Sequence, residues 1–253
     1  MSVIERVDRM QSLGRGLAVL DQLVRASGPL TATEVGHRCG VHQTTASRIL
    51  RDLVAAGYAR KLGYREFAPD YGLLALGLRA GEHLPITLRP KLAMERAAAM
   101  CSGLSVSLCM LWRRQLLYFD QATHGQDTRL FSGRDFPLHL SSPGLLFLLE
   151  LPQRSALELL AGSRAKFGWD QPTAAVPSTP SELLRVARRS LRQQTLVLPQ
   201  WAAIGHVTAA TRLRDHEGHP LALAISGPSD VLTSEGVRLK LHQARRLVEA
   251  AIS

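Results

Sequence analysis

Residues Gln43 to Arg48 read QTTASR, a run of amide, hydroxyl and guanidinium groups. This is chemistry that can read base edges. A glutamine amide pairs bidentately with adenine, hydroxyls bond bases or phosphates, a threonine methyl meets the thymine methyl, and arginine reaches guanine or phosphate. Gln43, Thr44, Thr45, Ser47 and Arg48 are therefore candidate DNA contacts. Farther on, Arg60, Lys61 and Arg65 surround Gly63, placed to lie over the backbone or the minor groove. Such contacts are largely electrostatic and weaken with salt. Taken alone, QTTASR reads as an ordinary polar helix end, so the elements around it decide.

Those elements are legible. Leu13, Gly16, Leu17, Leu20, Leu23 and Val24 recur at steps of three and four, predicting a helix over 12–27 that Gly28-Pro29 ends. Thr31 followed by Glu34 is a capping box that opens a short helix ending at Gly40. Thr31, at this helix start, is counted with the DNA-contacting residues. A third helix, 43–56, carries Ala46, Ile49, Leu50, Leu53 and Val54 on one face and stops at Gly57. Residues 58–68 then read as a basic hairpin turning at Gly63, with Arg65 near its tip. Three helices and a basic hairpin make a winged helix-turn-helix over 1–68, with the third helix entering the major groove.

Residues 70–102 read as interrupted helix opened by Asp70, and the break at GEHLPITLRP, 81–90, is the candidate domain boundary. This gives a helical linker over 69–90 and a second domain over 91–253. From Leu104 the pattern changes: LSVSLCMLW, QLLYFDQA and FPLHL are strand-like, SPGLLFLLEL and SALELLAG are helical. STPSELLRVARRSLRQQ reads as a helix capped by Thr179 and Glu182, with Arg185, Arg188, Arg189 and Arg192 as its solvated face. HVTAATRLRD and PLALAISGP are strands joined by HEGH, and TSEGVRLKLHQARRLVEAAI is a closing helix capped by Thr233 or Ser234. The class is α+β, an antiparallel sheet with helices packed on it.

Composition narrows the function. The 253-residue chain carries 31 Lys and Arg against 21 Asp and Glu, a net charge of +10, which suits a polyanionic partner. Three cysteines, Cys39, Cys101 and Cys109, without a CxxC point to a reducing compartment. With no apolar signal segment and no run long enough to cross a bilayer, the reading is cytoplasmic, without membrane association. GxSxG, HExxH and Gly-rich phosphate loops are missing from the sequence, so no catalytic residues, metal or cofactor are expected.

The second domain offers one pocket on the residues alone. His139, Ser141 and Ser142 lead from a strand end into a helix beginning at Pro143-Gly144, a place that favours a carboxylate. Thr208 and Ser226 lie on the paired strands, and Phe136 and Trp201 could supply apolar walls. The plainer alternative makes His139 a structural histidine and Ser142 a helix cap.

SLGRGLAVLDQLVRASGPLTATEVGHRCGVHQTTASRILRDLVAAGYARK closely resembles the DNA-binding domain of IclR-type transcriptional regulators. FPLHLSSPGLLFLL resembles that family's PLHATALGKALLA segment, and IGHVTAATRLRDHEGHPLALAISGPSDVLT its later strand pair. The resemblance implies a winged helix-turn-helix, a helical linker and a GAF-like effector domain. It also implies a homodimer or tetramer on a palindromic operator of double-stranded DNA, more commonly repressing, with a small organic acid or aromatic effector. The chain departs from the pattern at Pro143, Gly144 and Leu145, where the family has Ala and Gly-Lys. Thr208 stands for a small Cys or Ser, and Arg212 for Pro. Two rival readings stay open: a ligand-independent DNA-binding regulator, and a small-molecule hydrolase or transferase using His139 with Ser141 or Ser142.

Overall fold

The computed structural model describes residues 12–101, 103–113, 115–125, 129–130 and 136–252. They form two compact units divided between His83 and Leu84.

In the first unit, α1 (Ser12–Arg25) buries Val19 and Leu23. It ends two residues before the expected 27, ahead of Gly28-Pro29. β1 (Leu30–Thr31) leads into α2 (Ala32–Cys39). The capping box is present: Thr31 Oγ1 accepts from the Glu34 amide at 3.3 Å, and the Thr31 amide donates to Glu34 Oε2 at 2.7 Å. These bonds, to the Thr31 backbone first and its hydroxyl second, hold the Glu34 carboxyl below the usual range. Gly40 closes α2 in the left-handed region at φ 65°, its amide on Gly36 and His37 carbonyls. A Cβ on Gly36 would lie 2.8 Å from the Val41 carbonyl oxygen, so this tight turn needs glycine there.

The third helix, α3 (Gln43–Ala55), buries Ala46 and Leu50, with Ile49, Leu53 and Val54 packed beside them. Their core partners include Val19, Leu23, Val35 and Phe67. β2 (Ala59–Leu62) and β3 (Glu66–Pro69) form the hairpin, turning at Gly63 with φ 62°. β1 pairs with β3, Leu30 opposite Phe67, making a three-stranded sheet in the order β1-β3-β2. The hairpin arms lie slightly later than the expected 58–59 and 64–68, and the two-residue β1 carried no sequence signal. α4 (Tyr71–His83), opened by Asp70 Oδ1 accepting from the Tyr71 amide, completes the unit.

The second unit begins with α5 (Pro85–Leu88) and α6 (Lys91–Met100). Its strands are β4 (Ser105–Trp112), β5 (Gln115–Thr123), β6 (Arg129–Leu130), β7 (Leu191–Arg192), β8 (Thr195–Pro199), β9 (His206–Arg212) and β10 (Leu221–Pro228). They make one antiparallel sheet in the order β6-β5-β4-β10-β9-β8-β7. Its other helices are α7 (Ser142–Leu148), α8 (Gln153–Phe167), α9 (Pro180–Ser190) and α10 (Ser234–Ile252), the last capped by Thr233 Oγ1 accepting from the Gly236 amide. α6 and α10 cover one face, where Met94, Leu108, Leu223, Val237 and Leu241 interlock. α7, α8 and α9 cover the other, with Leu145, Phe147, Leu160, Leu183 and Trp201. Alternation along β4, β5, β8, β9 and β10 feeds both cores, so the centre of the sheet is buried on both faces.

Two expectations are corrected. FPLHL is not a strand: Leu138–Leu140 is a 3-10 turn whose first amide donates to Ser163 Oγ at 3.0 Å, and Pro137 lacks a ladder donor. The helix expected through Gln194 stops at Ser190. Gln193 and Gln194 take positive φ, 48° and 61°, and turn β7 back onto β8, a buried TLVLP strand without alternation to mark it. Arg192 therefore lies on β7, off the helix face assigned to it. Among the described residues no helix is long and apolar enough to cross a membrane.

Candidate DNA interface and ligand cavity

Burying Ala46 and Leu50 leaves Gln43, Thr44 and Arg48 exposed on α3, and Thr45 and Ser47 half-buried. The first turn of α3 holds no acid. Arg60, Lys61 and Arg65 are exposed on the hairpin. Thr31 has its hydroxyl occupied within the capping box, donating to Glu34 Oε2 at 2.8 Å. Two neighbours escaped the sequence reading. Tyr64 at the hairpin tip is 81% exposed, with Lys61 Nζ 5.8 Å and Arg65 Cζ 5.2 Å from its ring centroid. Its signal was an aromatic ring in a glycine turn between cations. His42 is the N-cap of α3, its ring nitrogen Nδ1 accepting from the Thr44 amide. Histidine is an unusual cap, so no propensity rule flagged it.

In the second unit a cavity of about 570 Å³ opens between the sheet and the start of α7. Phe136, Ser141, Ser142, Thr208 and Ser226 all line it. Register explains the convergence: Ser226 on β10 faces Ser105 on β4 and Thr208 on β9, a row of three hydroxyls across neighbouring strands. Ser142 Oγ and Thr208 Oγ1 are hydrogen-bonded at 2.7 Å. Tyr118, Gln121 and His206 also reach the cavity, and burial raises the Tyr118 phenol well above its usual range.

His139 and Trp201 do not line this cavity. His139 is buried, its Nε2 2.9 Å from the Asp170 carbonyl, and its ring stacks on Trp169 at 4.4 Å between centroids. Burial lowers its pKa, and Nδ1 has no partner among the described residues. Trp201 is 2% exposed and donates Nε1–H to the His139 carbonyl at 2.8 Å. Both pin the 138–140 turn ahead of α7. At the helix end expected to favour a carboxylate, Ser141 Oγ accepts from the Gly144 amide at 3.0 Å, and Pro143 has no N–H. Tyr118 OH lies 3.1 Å from the same Ser141 oxygen. Arg212 ties β9 to the end of α7 through Glu150 at 2.6 Å, and also pairs with Asp215 at 2.7 Å.

A helix-turn-helix with a basic wing, joined in one chain to an α+β domain, defines a DNA-binding transcriptional regulator. The family model for the IclR helix-turn-helix domain matches residues 12–63. The acetate operon repressor of Salmonella typhimurium is 26% identical, over 90% of this chain and 84% of that protein. A crystal structure of an IclR family transcriptional regulator from Brucella abortus superposes with a TM-score of 0.77 at 22% identity, over 97% of this chain and 94% of the other. An IclR homolog from Microbacterium hydrocarbonoxydans, complexed with 4-hydroxybenzoate, gives 0.67 at 20% identity, over 96% and 99%. Residues 12–63 thus match the IclR helix-turn-helix domain, and the chain is similar over most of its length to the transcriptional repressor IclR of Escherichia coli, 25% identical over 90% of this chain and 84% of that protein.

Proposed function

We propose that this chain is a repressor that binds a palindromic operator as a homodimer or tetramer, and that a small organic or aromatic effector in the second domain alters its affinity. The observation that carries the reading is the division of α3 into a buried stripe, Ala46 and Leu50, and an exposed polar start. Gln43, Thr44, Thr45, Ser47 and Arg48 read base edges, while Arg60, Lys61 and Arg65 hold the backbone and Thr31 sits at a phosphate. Residues 1–68 form the reading head, 69–90 the linker and 91–253 the sensing domain. Self-association is supported by Leu13, Leu17 and Val24 exposed on α1 and by Leu74 and Leu78 exposed on α4. A cytoplasmic location follows from this role.

The cavity, near 570 Å³, lies within the range of about 300–1,000 Å³ usual for small-molecule sites. Phe136 supplies an aromatic wall and the Ser105–Ser226–Thr208 row supplies hydroxyl partners. The 4-hydroxybenzoate held by the Microbacterium homolog makes that compound a rational first probe. The test uses full-length protein and a duplex selected from a randomised library. Anisotropy should give tight binding that weakens steeply with salt. A panel of aromatic and short-chain acids, beginning with 4-hydroxybenzoate, should contain a compound that changes duplex affinity. At about a hundred times its Kd it should add about 2.7 kcal/mol of stability. Selection of no sequence refutes the DNA reading; a panel that moves neither affinity nor melting refutes effector control.

A further inference from the structure

The start of α3 holds a hydrogen-bond arrangement whose polarity is fixed by chemistry. His42 is the N-cap residue, with φ −63° and ψ 146°, and its side chain is exposed. Nδ1 lies 3.3 Å from the Thr44 backbone nitrogen and 2.8 Å from Thr44 Oγ1. A backbone amide can only donate, so Nδ1 accepts and carries no proton. Two consequences follow. In the neutral ring the proton sits on Nε2. The Thr44 hydroxyl, facing a bare nitrogen, must donate its own proton inward, leaving its oxygen only lone pairs to offer. Nε2 has no hydrogen-bond partner among the described residues.

Resting on the reading of α3 as the recognition helix, we infer that His42 and Thr44 are a pair of DNA-contacting residues of fixed polarity, His42 Nε2–H donating to an acceptor on the DNA and Thr44 Oγ1 only accepting from a base amino group. In the major groove the amino donors are adenine N6 and cytosine N4, so Thr44 selects A or C and rejects the keto edges of G and T. The His42 donor fits guanine O6 or N7, adenine N7, thymine O4 or a phosphate oxygen. Its neighbour Gln43, able both to donate and to accept, carries no such restriction.

The test is selection from a randomised duplex library with the full-length wild type and its His42→Ser, His42→Ala, Thr44→Val, Thr44→Ser, Gln43→Ala and Arg48→Ala variants, each also melted. Serine retains a cap oxygen for the Thr44 amide but has no donor at the reach of Nε2. His42→Ser should therefore melt with the wild type and bind the selected duplex about fivefold more weakly, the loss of one hydrogen bond. His42→Ala should show the same weakening and a lowered melting temperature. A base acceptor for His42 appears as relaxed preference at one position; a phosphate acceptor appears as equal loss on every sequence with preference unchanged. Thr44→Val should lose an A or C preference that Thr44→Ser keeps.

His42→Ser binding within about twofold of wild type, with Gln43→Ala and Arg48→Ala still altering selection, overturns the His42 contact alone. A wild-type site in which the base tracked by Thr44 is G or T overturns the polarity. No change from any α3 variant, or no sequence enriched by the wild type, removes the recognition-helix reading and this inference with it.

Discussion

Replacing Thr208 by valine keeps the β-branched shape and exchanges the cavity hydroxyl for a methyl group. Ser142 is fully buried, and Thr208 Oγ1, 2.7 Å away, is the partner of its hydroxyl. Thr208→Val strands that hydroxyl, and an unsatisfied buried group costs about 1–3 kcal/mol. Ser142→Ala removes the other partner; Thr208, only half-buried at the cavity wall, can turn to water, so this change costs less. The double variant strands nothing, and its destabilisation should fall below the sum of the single ones by about 1 kcal/mol or more. The assay is calorimetry of the full chain, following the transition of the second unit. For a unit of this size each kcal/mol moves Tm by about 2–4 °C, so Thr208→Val should lower it by several degrees. Strict additivity, or a Thr208→Val variant that melts with the wild type, would refute the claim that these two residues form a closed pair at the cavity wall.

The remaining predictions test other parts of the molecule. Asp120 is buried with Oδ1 unpartnered among the described residues, and burial, eased by a backbone hydrogen bond at Gln121 and by Lys91, raises its pKa to about 6. Its folded pKa lies above the unfolded value, so the native state binds the extra proton and stability falls as pH rises through 6; Asp120→Asn should raise Tm at pH 7 and flatten its pH dependence in that region. Glu34 has the opposite sign: its folded pKa is lowered, so its contribution is present above the ordinary value of 4.5 and lost on further acidification. Thr31→Ala, which removes one of the hydrogen bonds holding that shift, should lower the melting of the first unit at neutral pH and shrink its acid sensitivity. Arg48→Ala should weaken duplex binding and reduce the slope of log affinity against log salt by about 1 if it meets a phosphate, or relax one base preference if it meets guanine. Gln43→Ala should relax a preference without altering that slope.

The first unit was readable because its information is local. The Thr31–Glu34 box, the Gly40 cap and the 46/49/50/53/54 stripe each lie within a few residues and each act within one helix. What sequence missed there is what depends on spatial partners: β1 exists only because Leu30 meets Phe67, far along the chain. The second unit reverses the balance. TLVLP has no alternation because both faces of β8 are covered, and a strand buried on both sides looks like any short apolar run. FPLHL offered apolar residues at strand-like spacing, and Pro137 with the Ser163 contact decided otherwise.

The cavity shows the same division at the level of single residues. Ser141 and Ser142 carry a local cue, polar residues before a helix, and both line the cavity. His139 shared that cue and turns away, because aromatic stacking on Trp169 and the Asp170 carbonyl outweigh its place in the chain. Ser105 carried no cue at all; it joins Ser226 and Thr208 only through strand register, across more than a hundred residues of sequence. Register also fixes what a ligand can meet. A one-residue slip of β10 would turn Ser226 to the opposite face and replace it by Ile225 or Gly227, breaking the hydroxyl row. The chemistry of the cavity is therefore a property of the sheet pairing rather than of any motif. Substitutions that shift pairing at the β4–β10–β9 centre should change ligand response even where they touch no lining side chain.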